Sequence, residues 1–298
     1  MLAAAASRPP ASSAMTAPMA TRAPHNSPER QTVAVFVSRG GLGDCAQHAA
    51  AYALQDGYRV LVIARTHDAI GYIEDKPFFT DAQRSNARLQ PHAIDFASPE
   101  GTEGAAAVHA ELAELLRGVS AVIAAPVDRQ GMAAGGAASM RTIIAAVREA
   151  RVPRLVFLSS VGVESRPMPW TWVGTVFQLF WLTVLRGTKR DLRAANAAVK
   201  GSGTDFLVVR PMGLDPGLTH KPHHSWKTLP AEDQKGPLAH NISKADVGEF
   251  MLKEALQPTL HGGDVQIGWE LPAPPDRADS KEAKALAKQQ AKEGKSTR

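Results

Sequence analysis

A single cysteine, Cys45, stands among the 298 residues. One thiol excludes an internal disulfide and any multi-thiolate metal cluster, and it suits a reducing compartment. Aromatic residues make up only 6% of the chain, and its three tyrosines, Tyr52, Tyr58 and Tyr72, all fall in the first quarter. Chemistry that needs a phenolic proton must find it there. The formal charge of +5 belongs to the two ends, because residues 31–275 hold 24 basic and 24 acidic groups. A folded body without net charge carries no basic footprint, which sets nucleic acid aside. No secretory or membrane-spanning run occurs in the first thirty residues, and the uncharged stretch 170–185, WTWVGTVFQLFWLTVL, falls short of a bilayer span at sixteen residues.

What is present is organised around residues 32–65, TVAVFVSRGGLGDCAQHAAAYALQDGYRVLVIAR. A β-branched run, Val33 to Val37, enters the turn Ser38-Arg39-Gly40-Gly41-Leu42-Gly43. An alanine-rich helical run then reaches Gly57, and a second apolar run, Val60 to Ala64, ends on Arg65. Strand, glycine turn, helix and strand in about thirty residues form the context of a dinucleotide fingerprint. The glycines let the backbone turn tightly and approach a pyrophosphate, so that helix N–H groups point at its charge. Ser38, Arg39, Gly40, Leu42 and Gly43 are therefore the candidate cofactor contacts of the turn. With Gly40 and Gly43 as the second and third glycines, Val37 is read as standing at the first position. A valine resists positive φ, so the turn must keep that residue in the β region.

An acid at the end of the second strand would hold a ribose 2′-hydroxyl, but there is no Asp or Glu from Gly57 to His67. Arg65 stands there instead, with Arg39 nearby in the turn. Two guanidinium groups suit a 2′-phosphate, so NADP(H) is expected in preference to NAD(H). Cys45, in the first helical turn, is either a dipole-activated thiol or a small packing residue.

Further along, 88–94 reads as a third strand, with Asp95 and Phe96 at its carboxyl end as further cofactor candidates. Residues 102–117 and 135–150 have helical period, 121–125 and 154–160 read as buried strands, and 265–269 as a late one. This alternation predicts an α/β fold: a Rossmann-type, doubly wound parallel sheet. Residues 1–30 form an Ala/Ser/Pro-rich leader without an acid before Glu29, read as a disordered extension or an organelle transit peptide. That leaves the chain cytoplasmic, or organellar if the leader is a transit peptide. Residues 273–298 form a charged flexible tail. His220, His223 and His224 lack a companion carboxylate or thiol at ligand spacing and read as a loop, with no metal site assigned.

The glycine turn, VFLSSVGV at 156–163, GSGTDFLVVRPMGL at 201–214 and NISKADVGEFML at 241–252 together resemble the atypical, NmrA-like NAD(P)H-binding branch of the short-chain dehydrogenase/reductases. The resemblance covers residues 32–269. It implies that residues 31–272 form the NAD(P)-binding domain, with a small substrate lobe over about 211–272. It implies that Ser159 and Ser160 line the nicotinamide side, with Ser160 orienting a substrate oxygen, and that 170–185 walls an apolar substrate cleft. A membrane or protein contact through that run is the less favoured alternative.

The departures from the family matter as much. Catalytic relatives use a Tyr–Lys pair four residues apart, the lysine lowering the tyrosine pKa. None of the three tyrosines here reaches that position. On the corresponding helix the lysine register falls on Leu192, with Asn196 where the branch often has Glu. Asp191 is the remaining candidate acid there, or part of a solvated face. Two readings stay open: an NADPH-dependent reductase of a small apolar carbonyl or quinone-like compound, and a non-catalytic NADPH-binding sensor, assembly factor or subunit. A scaffold that binds no nucleotide would rest on Val37 alone.

Overall fold

In the computed structural model, residues 31–73, 76–97, 104–126, 136–164, 186–215, 226–230, 238 and 241–270 are described. The leader, the 170–185 run, the histidine loop and the tail lie outside them. The apolar runs become parallel strands: β1 (Thr32–Phe36), β2 (Arg59–Ala64), β5 (Leu89–Ala93), β6 (Ala121–Ala124), β7 (Arg154–Leu158), β8 (Asp205–Pro211) and β12 (Gly263–Trp269). With β10 (Trp226–Pro230) they make an eight-stranded sheet in the order β10-β12-β8-β7-β6-β1-β2-β5. Every pairing in it is parallel except β10 on β12.

Strand alternation sorts the core into two layers. From β1, Val33, Val35 and Val37 join a cluster with Cys45 and Ala49 of α1 (Gly43–Gln55) and with Val247 and Met251 of α6 (Lys244–Leu256). Ala34 and Phe36 face the other way, toward Leu112 of α3 (Ala105–Leu115), Met140 and Ile143 of α4 (Gly136–Glu149), and Leu192 of α5 (Arg186–Lys200). Helices on both faces explain why the central strands read as continuous apolar runs. The sheet is doubly wound as expected. The stretch from 211 onward contributes β12 and the edge strand β10 to it, α6 to the α1 layer, and a small parallel pair, β9 (Gly213–Asp215) with β11 (Asn241–Ser243).

α1 and α6 pack unusually close. A Cβ on Gly248 would stand 2.6 Å from the Cys45 carbonyl oxygen and 2.7 Å from the His48 Cβ, so only glycine lets these backbones approach so nearly. The connection from β2 to β5 has no long helix. It runs through a short 3₁₀ turn (His67–Ala69), the hairpin strands β3 (Tyr72–Ile73) and β4 (Lys76–Pro77), and the four-residue α2 (Asp81–Arg84), capped by Thr80 and Gln83. Gln47 of α1 pins it by donating to the Ala69 carbonyl (2.6 Å) and accepting from the Gly71 amide (3.1 Å).

α4 ends with the Val152 amide on the Val147 carbonyl (3.0 Å) and the Arg151 amide on that of Arg148 (3.1 Å). That double bond is the Schellman closure, which wants a left-handed residue, usually glycine. Arg151 fills the place at φ +54°, and it is the one non-glycine residue at positive φ among those described. Arg151→Gly should therefore stabilise the fold by ~0.5–1 kcal/mol, raising Tm by about 2 °C in a thermal melt.

Candidate functional site

Strand order reverses between β1 and β6, and in open α/β sheets the crevice outside such a switch point receives the ligand. The carboxyl ends of the two strands are tied together there. The Ser38 hydroxyl donates to the Ala125 carbonyl at 3.0 Å, and the Ala125 amide donates to the Phe36 carbonyl at 3.0 Å. Val37 remains extended: its amide donates to the Ile63 carbonyl at 2.9 Å, and its side chain, 1% exposed, is in the core. The left-handed turn begins later, at Gly40 (φ +75°) and Gly41 (φ +57°). The spacing i, i+2, i+5 in fact passes through Ser38, Gly40 and Gly43, so the first position belongs to Ser38 and the assignment to Val37 is out by one residue. Val37 neither strains the loop nor fills its hollow.

The turn has the properties of an anion cradle. A Cβ on Gly41 would meet nothing within 4 Å, so among the described residues the space beside Gly41 is open. Gly43 has the opposite property, since its Cβ would lie 2.2 Å from the Ser38 carbonyl oxygen. That absent side chain is what lets α1 start against the strand end. Leu42, half-buried between both core layers, is the N-cap of α1 and offers no side-chain hydrogen bond to the helix amides. A helix tip left without a side-chain cap is suited to an anion.

Two arginines stand beside it. Arg65 at the end of β2 donates from Nε to the Asp95 carboxylate at 3.0 Å, both side chains about half exposed. Arg39 approaches Asp68 at 3.9 Å and lies 5.1 Å over the Tyr72 ring, whose centroid is 5.8 Å from the Arg84 guanidinium. Hydrogen bonding from Thr66 holds the Asp68 carboxyl below its ordinary range, with help from its own amide and from Arg39. Tyr72 and Arg84 join this group through the β2–β5 connection, and nothing in their local sequence marks them for it.

Other candidates lie elsewhere. Phe96 is in the core, 1% exposed and edge-on to Phe36 at 5.3 Å, rather than in the crevice. Ser159 is fully buried at the end of β7, and its hydroxyl has no hydrogen-bond partner among the described residues. Ser160 is half-buried and donates to the Val161 carbonyl at 3.2 Å. Cys45 is a packing residue: it is fully buried, and burial pushes its thiol far above the ordinary range, so it holds no reactive thiolate. Arg210, in the motif shared with the family, is buried in an ion network with Glu164 (2.7 Å) and Asp264.

Asp191 has structural work. Its two carboxylate oxygens accept from the amides of Gly136 (2.8 Å) and Ala137 (3.0 Å), capping α4 from α5. The residue combination that reads as a solvated helix face is used across 55 positions of sequence. Asp191→Ala should cost about 1 kcal/mol, read as a Tm lower by a few degrees. An acid acting only in chemistry would leave Tm unchanged. Tyr52 does not replace the missing tyrosine, since burial, with Glu249 and Asp246, pushes its hydroxyl up to about 12.

Comparison with known proteins bears on the fold. No curated protein matches the chain. Among solved structures, a Rossmann-fold NAD(P)-binding family protein from Shigella flexneri matches 83% of this chain and 98% of its own, at 17% identity and TM-score 0.54. A short-chain dehydrogenase/reductase from Veillonella parvula, in complex with NADP, matches 80% of this chain and 94% of its own, at 14% and 0.57. An oxidoreductase from Lactococcus lactis matches 82% and 93%, at 12% and 0.57. Identities this low establish a shared fold. Among the described residues no helix is long and apolar enough to cross a membrane. The profile of the NAD(P)H-binding family matches residues 40–258, well over half the chain, and the protein belongs to that family.

Proposed function

We propose that the protein is an NADP(H)-dependent reductase of the atypical, NmrA-like branch, acting on a small apolar carbonyl or quinone-like compound. The observation that carries the cofactor half is the pair Arg65 and Arg39 flanking an open glycine turn, with no acid at the end of β2. Gly40 to Gly43 and the tip of α1 would hold the diphosphate. Arg65 spends only Nε on Asp95, which leaves its terminal nitrogens for a 2′-phosphate. The bound dihydronicotinamide supplies a hydride. This chain's part is to place it, with Ser160 offering a hydroxyl to a substrate oxygen. The NADP complex of the Veillonella relative and the oxidoreductase fold of the Lactococcus one support the reading.

Arg65→Glu should weaken NADPH binding by roughly 10- to 100-fold while leaving NADH within about threefold, measured by quenching of tryptophan fluorescence. Equal losses for both nucleotides would refute the 2′-phosphate assignment.

A second reading has its own support. Asp191 is occupied as a cap and the half-buried Tyr52 hydroxyl is pushed up to about 12, so neither is suited to deliver a proton. That arrangement favours an NADPH-binding sensor, assembly factor or subunit without turnover. Steady NADPH oxidation with a panel of quinones and aldehydes supports the reductase. Tight NADPH binding with no oxidation across the panel supports the sensor.

A further inference from the structure

A buried ion pair joins the cofactor helix to a residue 200 positions away. The Lys244 ammonium meets the Asp44 carboxylate at 2.6 Å, with the lysine side chain 7% exposed and the aspartate fully buried. Asp44 directly follows Gly43 and occupies the first turn of α1. Its charge suits the positive end of that helix. It also stands at the place where a diphosphate would bring two negative charges of its own. Lys244 opens α6, the wrong end of a helix for a cation, so its position is explained by its partner and not by its own helix.

The two helices also meet without the contact: Gly248, Val247 and Met251 pack α6 into the α1 layer. What the lysine adds is charge balance. With it, the first turn of α1 presents a neutral pair; without it, a buried anion lies within a helical turn of the diphosphate, where little water screens it.

We propose that Lys244 is a positioning residue for the nucleotide: it neutralises Asp44 so that the helix tip accepts a diphosphate, and it makes cofactor affinity depend on the seating of α6. This rests on the cofactor reading above. The same pair would serve any dinucleotide, because the diphosphate is common to all of them.

The test is a binding cycle by calorimetry on wild type, Lys244→Gln, Lys244→Arg, Asp44→Asn and the double variant Asp44→Asn/Lys244→Gln. Each is titrated with NADPH and with adenosine 2′-monophosphate, which has the phosphate-bearing ribose but no diphosphate. Lys244→Gln should lose at least about tenfold in NADPH affinity and stay within about twofold for the monophosphate. Lys244→Arg and the double variant should return NADPH to within about threefold of wild type. If Lys244→Gln does not fold, Asp44→Asn and the double variant decide the matter: the first should bind NADPH at least as well as wild type, and the second within about threefold of it. Unchanged NADPH affinity in Lys244→Gln overturns the proposal, as does a parallel loss for both ligands, which marks a mere staple between helices. A loss of NADPH affinity in Asp44→Asn overturns it too. A wild type that binds no NADPH overturns the cofactor reading itself, and this inference with it.

Discussion

Gly43→Ala should all but abolish nucleotide binding and destabilise the fold by about 3 kcal/mol. The added Cβ would sit 2.2 Å from the Ser38 carbonyl oxygen, 2.3 Å from its hydroxyl and 2.6 Å from its carbonyl carbon. Two of those three atoms are backbone, so a rotamer change does not clear the contact. Ser38 cannot retreat either. Its hydroxyl is held by the Ala125 carbonyl, and the preceding residue is in the ladder through Ile63. The strain is relieved only by moving the start of α1 away from the end of β1, and that start is the proposed anion cradle. In a domain of this size ~3 kcal/mol corresponds to a Tm fall of roughly 6–12 °C. NADPH affinity should drop by at least about a hundredfold, since a cradle misplaced by an ångström loses several amide contacts at about tenfold per 1.4 kcal/mol. Gly41→Ala is the control. Its Cβ would meet nothing within 4 Å, so only the +57° φ penalises it, at ~1 kcal/mol. Equal effects at the two positions would show that the turn conformation, and not the close approach of helix to strand, governs the site.

The sequence made the sheet legible because its central strands are buried on both faces. Val33 to Val37, Val60 to Ala64 and Ala121 to Ala125 read as strands for the reason they pack as strands: no polar face is needed where helices cover both sides. The pieces that escaped lack that signal. β10, Trp226–Pro230, is half-buried at the sheet edge, and β9, β11 and the β3–β4 hairpin have two or three residues each, too few to establish a period. At the site, the glycine turn, Arg39 and Arg65 were visible because their spacing is local. The function of Asp191 was not, because the amides it caps belong to a helix that begins 55 residues earlier. Lys244 and Asp44 are separated by the whole domain, and no window finds them. Phe96 shows the limit from the other side. A strand end points to a ligand crevice, but alternation turned this ring toward Phe36 and the core.

The amino-terminal ends of the strands should respond in the opposite way to the glycine turn. Arg154, 3% exposed at the start of β7, is a clamp whose three guanidinium nitrogens are all engaged. Nε donates to the Glu254 carbonyl (3.2 Å), Nη1 to the Asp205 carboxylate (2.9 Å) and Nη2 to the Leu260 carbonyl (2.7 Å). The buried Glu254 carboxylate lies 3.6 Å from Nη2 and accepts from the amides of Thr259 and Leu260. Burial pulls the Arg154 pKa down against the opposing pull of Asp205 and Glu254. Arg154→Met would leave two carbonyls without their donor and a buried carboxylate without its cation. Removing one member of a buried pair costs about 3–5 kcal/mol, a Tm fall on the order of 10 °C here. Adding Glu254→Gln should recover part of it, because the stranded charge goes with the substitution. The clamp gathers β7, β8, the end of α6 and the approach to β12 at the amino ends of the strands, away from the glycine turn. The folded fraction of Arg154→Met should therefore bind NADPH within about twofold of wild type, measured at low temperature, where the Gly43→Ala fraction should not. A variant losing both stability and affinity at Arg154 would mean that α6 transmits strain from the amino ends of the strands to their carboxyl ends.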